Sequence, residues 1–108
     1  MGTVTADTQV RNNTELSRYE ILVGEEVAGF TEYAMHGEQI DLLHTEVDEK
    51  FTGRGLASEL IRDLLDDVRE RGLKAMPYCP FVRKFVGKHS EYVDLVPVEH
   101  RDKFGLAG

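Results

Sequence analysis

"KFTGRGLASELIRDLL" (Lys50–Leu65) sets two glycines around an arginine and passes at once into a helical pattern. Leu56, Leu60, Ile61, Leu64, Leu65 and Val68 recur at the spacing of one helix face, and Gly72 after Arg71 supplies a stop. A helix does not need glycine at its threshold, so the bare backbone asks for another reason. Helix starts expose unpaired N–H groups and the positive end of the macrodipole, and therefore bind anions. Glycine lets a bulky phosphate reach that backbone with no Cβ in the way. A pyrophosphate cradle over Gly53-Arg54-Gly55-Leu56-Ala57 is one reading. A tight turn that merely permits close strand–helix packing is the other, and the glycines alone do not choose. The stretch is neither a Walker loop, lacking Gly-Lys-Ser/Thr, nor a Rossmann fingerprint.

Upstream, "RYEILVGEEVAGFTEYAMHGEQIDLLHTEV" (Arg18–Val47) reads as a β-meander. Strands at Tyr19–Val23, Val27–Met35 and Gln39–Val47 are separated by turns at Gly24-Glu25 and His36-Gly37-Glu38, with a weaker edge strand near Val10–Asn12. Connections this short force antiparallel neighbours. Downstream, "LKAMPY" (Leu73–Tyr78) is a short strand, and the strand–helix–strand passage predicts a parallel crossover. Cys79-Pro80 opens a second helix, "FVRKFVGKH", with proline acceptable in its first turn. "EYVDLV" (Glu91–Val96) reads as a last strand or an extended segment, and the tail from Pro97 as polar loop with at most one helical turn. Glu59, Asp63, Asp66, Asp67 and Glu70 read as a solvated helix face, not a binding surface.

The 108 residues suit one domain, 1–108, with loosely structured ends at about 1–8 and 97–108. A net charge of −7 argues against a nucleic-acid or anionic-membrane binder, which needs surplus Lys and Arg. The single cysteine, Cys79, makes no internal disulfide. "MGTVTADTQV" lacks a signal peptide's features, and no apolar run approaches membrane-spanning length. The expectation is a cytoplasmic protein. His36, His89 and His100 lack ligand spacing, so no metal site is expected.

The order of meander, glycine turn, helix, short strand and helix resembles the GNAT superfamily of acetyl-CoA-dependent N-acetyltransferases. Its pyrophosphate motif, Gln/Arg-x-x-Gly-x-Gly/Ala, lies over Thr52–Ala57, departing at Thr52. The likeness tightens against minimal, stand-alone members of about this length. His44-Thr45-Glu46-Val47, Gly53–Ser58, "PYCPFV" (Pro77–Val82) and "KHSEY" (Lys88–Tyr92) carry it, and it covers residues from about 18 to 96. The resemblance implies a compact α/β (α+β) fold: a mostly antiparallel sheet, two helices and a splayed pair of parallel strands. It implies acetyl-CoA as cosubstrate, lying between Gln39–Val47 and Leu73–Tyr78. Thr45, Glu46 and Val47 would supply backbone to pantetheine and thioester. Thr52, Gly53, Arg54, Gly55, Leu56, Ala57 and Ser58 would hold the pyrophosphate. Arg54, Arg83, Lys84 and Lys88 form a basic cluster that could meet the CoA phosphates.

Proton handling is where the chain departs from the family. The tyrosine that usually protonates the departing thiolate falls at Val86, beside Phe85. Cys79, at the start of that helix where relatives carry asparagine, is the substitute in reach, as general acid or as acetyl carrier. A small buried hydrophobe is its alternative reading. His44 is one candidate base and Asp41, where several relatives hold a glutamate, the other. Ideal alternation puts Asp41, Leu43 and Thr45 on one face and His44 on the opposite face, unless the family's β-bulge changes the facing. The expected function is acetyl transfer to an amine acceptor, a protein lysine or a polyamine. A CoA-binding module without turnover and a protein-interaction domain are the alternatives. No helices fit between the first two strands, so the acceptor side should be open, in a monomer or weak dimer.

Overall fold

In a computed structural model describing residues 7–106, five strands form one sheet in the sequence order β1 to β5. They are β1 (Thr8–Asn13), β2 (Arg18–Val23), β3 (Glu26–His36), β4 (Gln39–Val47) and β5 (Lys74–Pro77). The first four pair antiparallel and β5 joins β4 in parallel, as the short turns and the single crossover require. The loose start expected for about 1–8 lies mostly outside the described residues. From Thr8 the chain is already in β1, whose pairing with β2 extends from Thr8–Val23 to Asn13–Arg18. A four-residue turn joins β1 to β2, leaving no room there for helices.

Helix α1 (Leu56–Glu70) makes the crossover, and all six apolar-stripe residues are buried against the sheet. Full burial of such a side chain is worth roughly 1.5–3 kcal/mol. Its end follows from Gly72: at φ +70° the chain reverses. The Leu73 and Gly72 amides then donate to the Val68 and Arg69 carbonyls at 3.0 and 3.1 Å, satisfying groups the helix leaves orphaned. Three carboxylates of its charged face have partners. Tyr19 donates to Asp67 at 2.5 Å, Tyr92 to Asp66 at 2.7 Å and Thr8 to Glu59 at 2.5 Å. The face is therefore partly a set of anchors and not wholly solvated. Burial and the Asp67 carboxylate push the Tyr19 hydroxyl's pKa up, and burial and Asp66 do the same to Tyr92.

Helix α2 (Pro80–Lys88) packs on α1, β4 and β5 through Val82, Phe85 and Val86. The next segment corrects the sequence reading: Ser90–Leu95 is a 3-10 helix, not a strand. Tyr92 and Leu95, three residues apart, turn inward together, while Arg69 grips the Asp94 carboxylate at 2.8 and 3.0 Å. The tail from Pro97 is not loose loop either. It makes 3-10 turns at Val98–His100 and Asp102–Phe104, and Phe104 and Leu106 join the core. Among the described residues no helix is long and apolar enough to cross a membrane.

Candidate active site

The parallel ladder between β4 and β5 is short, running only from Gln39–Lys74 to Leu42–Pro77. Pro77 brings no amide to continue it, and the Tyr78 amide folds back onto the Met76 carbonyl at 2.9 Å. The last tie is the Cys79 amide, which donates to the Leu42 carbonyl at 2.8 Å. Beyond it β5 is finished, while β4 runs on to Val47 paired only with β3. A strand so placed turns alternate amides and carbonyls into the gap. Thr45, Glu46 and Val47 form that free margin.

A β-bulge decides which side chains stand where. Up to Leu42–Tyr33 the β4–β3 register is regular; the next pair is His44–Glu32, and Leu43 is left without a partner. Asp41, His44 and Glu46 therefore share the outer face with Ala34, Glu32 and Phe30. Ile40, Leu42, Thr45 and Val47 share the helix-covered face. Thr45 thereby leaves the face that ideal alternation gives it and comes over the thiol of Cys79, whose Sγ lies 3.4 Å from the Thr45 Oγ1. Cys79 is only 3 % exposed and makes no side-chain cap to α2, so its thiol proton points at Thr45.

The bulge unites the two candidate bases on one face, but both are engaged. Asp41 lies 3.1 Å from the His36 Nε2 and accepts from the Gln39 amide at 3.0 Å. His44, 53 % exposed, has its Nε2 3.1 Å from Glu46 and its ring tilted against Phe30. Neither is hydrogen-bonded to Cys79 or Thr45, which lie on the other face. Val86, in the usual tyrosine position, is core. Three of the chain's four tyrosines have their hydroxyls engaged elsewhere, Tyr19 with Asp67, Tyr33 with Asn12 and Tyr92 with Asp66, while Tyr78, 42 % exposed, packs its ring edge-on to Phe104.

At the start of α1, Gly53 and Gly55 hold φ of +83° and +72°, and a Cβ at either would meet no atom within 4 Å. The space in front of this backbone is open. Among the described residues, the first amide of this stretch to find a backbone acceptor is that of Glu59, bonded to the Gly55 carbonyl at 3.2 Å. The amides of 56–58 are left for an outside acceptor. Thr52 does not reach over them, since its hydroxyl donates to the Glu49 carbonyl. Arg54 lies over the Phe51 ring at 5.3 Å from its centroid. A hollow of about 220 Å³ opens here, bordered by Val47, Thr52, Gly53, Gly55 and Phe81 among others. Beside it a second hollow of about 160 Å³ is lined by Ser58, Phe81, Lys84, Phe85, Lys88 and His89. Arg83 is not part of it; its own amide turns back to the Cys79 carbonyl. A polar participant that sequence reasoning missed is Thr31, wholly buried on β3 and 2.8 Å from the Thr45 Oγ1. Counting back from the β3–β4 turn would have put it opposite His44.

Comparison with known proteins bears on the fold and the family. Protein NATD1 of Danio rerio is 39% identical over 59 residues, covering 53% of this chain and 54% of that protein. Protein NATD1 of Homo sapiens is 45% identical over 47 residues, covering 44% and 42%. The chain thus spans about half the length of these curated relatives or less. An NMR solution structure of a GCN5-like protein from Staphylococcus aureus superposes with a TM-score of 0.63 at 18% identity, covering 88% of this chain and 91% of that one. The crystal structure of the ribosomal-protein-S18-alanine N-acetyltransferase from Escherichia coli gives 0.50 at 21% identity, over 53% and 37%. Both likenesses speak to the fold. The family model described as GCN5-related N-acetyl-transferase matches residues 18–95, most of the described chain, and on that match this chain belongs to the GCN5-related N-acetyl-transferase family.

Proposed function

We propose that this protein transfers an acetyl group from acetyl-CoA to an amine. The observation that carries the reading is the conjunction of the unpaired amides of 56–58, at the start of α1 behind the Gly53–Gly55 turn, with the free margin of β4 at Thr45–Val47. One suits a pyrophosphate, the other an extended amide-bearing arm, and the hollow beside Val47 and Gly55 connects them. Thr52 contributes to the local turn and not to the ligand. Lys84 and Lys88, with Ser58, form a basic hollow suited to a further phosphate of CoA. The free backbone of β4 can present an N–H to a thioester carbonyl, and such a donor stabilises the oxyanion that develops under attack by about 3–4 kcal/mol.

Cys79 stands at the apex of the split and is the acid candidate for the leaving sulfur. In the usual acid position Val86 offers no hydroxyl. Asp41 and His44 lie on the opposite face, so they would act on an amine arriving from that side, through water. That face carries Glu32, Glu46, Asp41 and Phe30, which suits a cationic acceptor such as a lysine side chain or a polyamine. The absence of helices between β1 and β2 leaves room for a large one. The missing tyrosine favours a second reading, a CoA-binding module without turnover. Calorimetry with CoA, followed by an acetyl-transfer screen against lysine peptides and polyamines, separates the two. No binding at millimolar CoA would sink both.

A further inference from the structure

Two polar residues are buried among the described residues, Glu20 and Thr31. Glu20 is explained by its guanidinium partners, Arg11 and Arg18. Thr31 has no charge to answer. Its hydroxyl sits 2.8 Å from that of Thr45, which in turn receives the Cys79 thiol at 3.4 Å, so three side chains from β3, β4 and the start of α2 form one chain. A valine would fill the Thr31 site with no hydroxyl to satisfy. We propose that Thr31 is a positioning residue which, through Thr45, stabilises Cys79 after it has given up its proton. This rests on the acetyl-transfer reading, with Cys79 as acid.

The polarity of the chain reverses during the step. With Cys79 as a thiol, S–H donates to Thr45 and the Thr45 hydroxyl donates to Thr31. As the amine attacks and the thioester carbon–sulfur bond breaks, the electron pair stays on the CoA sulfur, which takes the Cys79 proton. Cys79 is left as S⁻. The Thr45 hydroxyl then rotates to donate to that sulfur, and its own oxygen has lost the donor it had. Thr31 supplies the replacement by donating to Thr45. A hydrogen bond to an anion is stronger than its neutral counterpart, so the pair favours the charged form. The proton shed by the amine nitrogen as it becomes an amide returns Cys79 to the thiol through solvent.

Because Cys79 is the sole cysteine, alkylation by iodoacetamide reports on it alone. In the free protein, Thr31→Val and Thr45→Val should each slow alkylation roughly tenfold near neutral pH, and the difference from wild type should fade as the pH is raised. Thr31→Ser should restore the wild-type profile, and Thr31→Val should add nothing in a Thr45→Val background. The double valine variant leaves no hydroxyl unpaired and serves if a single variant fails to fold. Turnover of Thr31→Val should fall while acetyl-CoA affinity holds. A Thr31→Val profile that overlays wild type, or a slowing equal at every pH, would overturn the proposal. A shifted profile in a protein that transfers no acetyl group would refute the transferase reading and leave the relay standing.

Discussion

Gly55 separates two costs that are usually entangled. Its φ of +72° is a left-handed conformation, and a Cβ placed on it meets nothing within 4 Å. Gly55→Ala therefore costs backbone strain without a steric clash inside the protein, roughly 1–2 kcal/mol. That loss should appear in urea denaturation whatever the glycine is for. Affinity is a different matter. If a pyrophosphate rests on the amides of 56–58, the added methyl occupies the phosphate's approach, and Gly55→Val occupies more of it. Losing a charge-assisted hydrogen bond should weaken CoA binding by about 1–3 kcal/mol, some five- to 150-fold in Kd. Gly72→Ala is the matched control, because Gly72 has a φ of +70° and equally empty surroundings at the other end of the same helix. It should lose comparable stability and no affinity. Titration calorimetry with CoA on folded variants reads the difference. If Gly55→Val and Gly72→Ala both bind CoA like wild type, the glycines serve the turn alone and the cradle is wrong.

Three further outcomes follow from the same geometry. Cys79→Ala should leave CoA affinity near wild type and cut acetyl transfer by about 100-fold or more; a covalent role further requires one acetyl adduct by mass spectrometry, absent in the alanine variant. Lys84→Ala with Lys88→Ala should weaken CoA but not 3′-dephospho-CoA, and equal weakening of both would place the lysines elsewhere on the ligand. Burial pushes the Glu20 carboxyl up, but Arg18, Arg11 and Asn13 outweigh it and hold it below its ordinary value of 4.5. Its stabilisation is thus complete above that ordinary range and is lost as pH falls through the lower folded value. Glu20→Gln should cost about 1–3 kcal/mol near neutrality and progressively less in acid, measured as urea midpoints across a pH series.

What the sequence disclosed is what local chemistry controls. The apolar stripe from Leu56 to Val68, the Gly72 stop and the glycine turns of the meander each specify a backbone state without help from distant residues. Pro80 similarly marks where α2 begins, whereas the strand read as Leu73–Tyr78 stops at Pro77. The segment Glu91–Val96 misled because Tyr92, Val93, Leu95 and Val96 suit a strand as well as a short turn. Only the neighbouring Asp66 and Arg69, which bond it at Tyr92 and Asp94, decide between them. Phe104 and Leu106 stood alone in a polar tail, with no period to show that they reach the core. The bulge was legible only through the family resemblance and not in the residues themselves. It belongs to the pairing of β3 with β4 and leaves no mark at Leu43, yet it determines that Thr45 meets Cys79 and that His44 does not.

That unpaired leucine also gives β4 one residue of slack. Leu43 itself is 45 % exposed, so its side chain can vary at little cost. Its place in the chain is spare as well: Leu42 and His44 already face the consecutive residues Tyr33 and Glu32, so a strand without Leu43 would pair regularly and keep Thr45 and Val47 under the helices. Straightening is the change the strand cannot take. If Leu43 stayed and were drawn into the ladder opposite Glu32, the two sides of the strand's far half would exchange, with His44 and Glu46 driven under the helices and Thr45 and Val47 out to water. Lineages of this chain should vary freely at position 43, in length as well as in side chain, and keep the polar and apolar positions beyond it in phase.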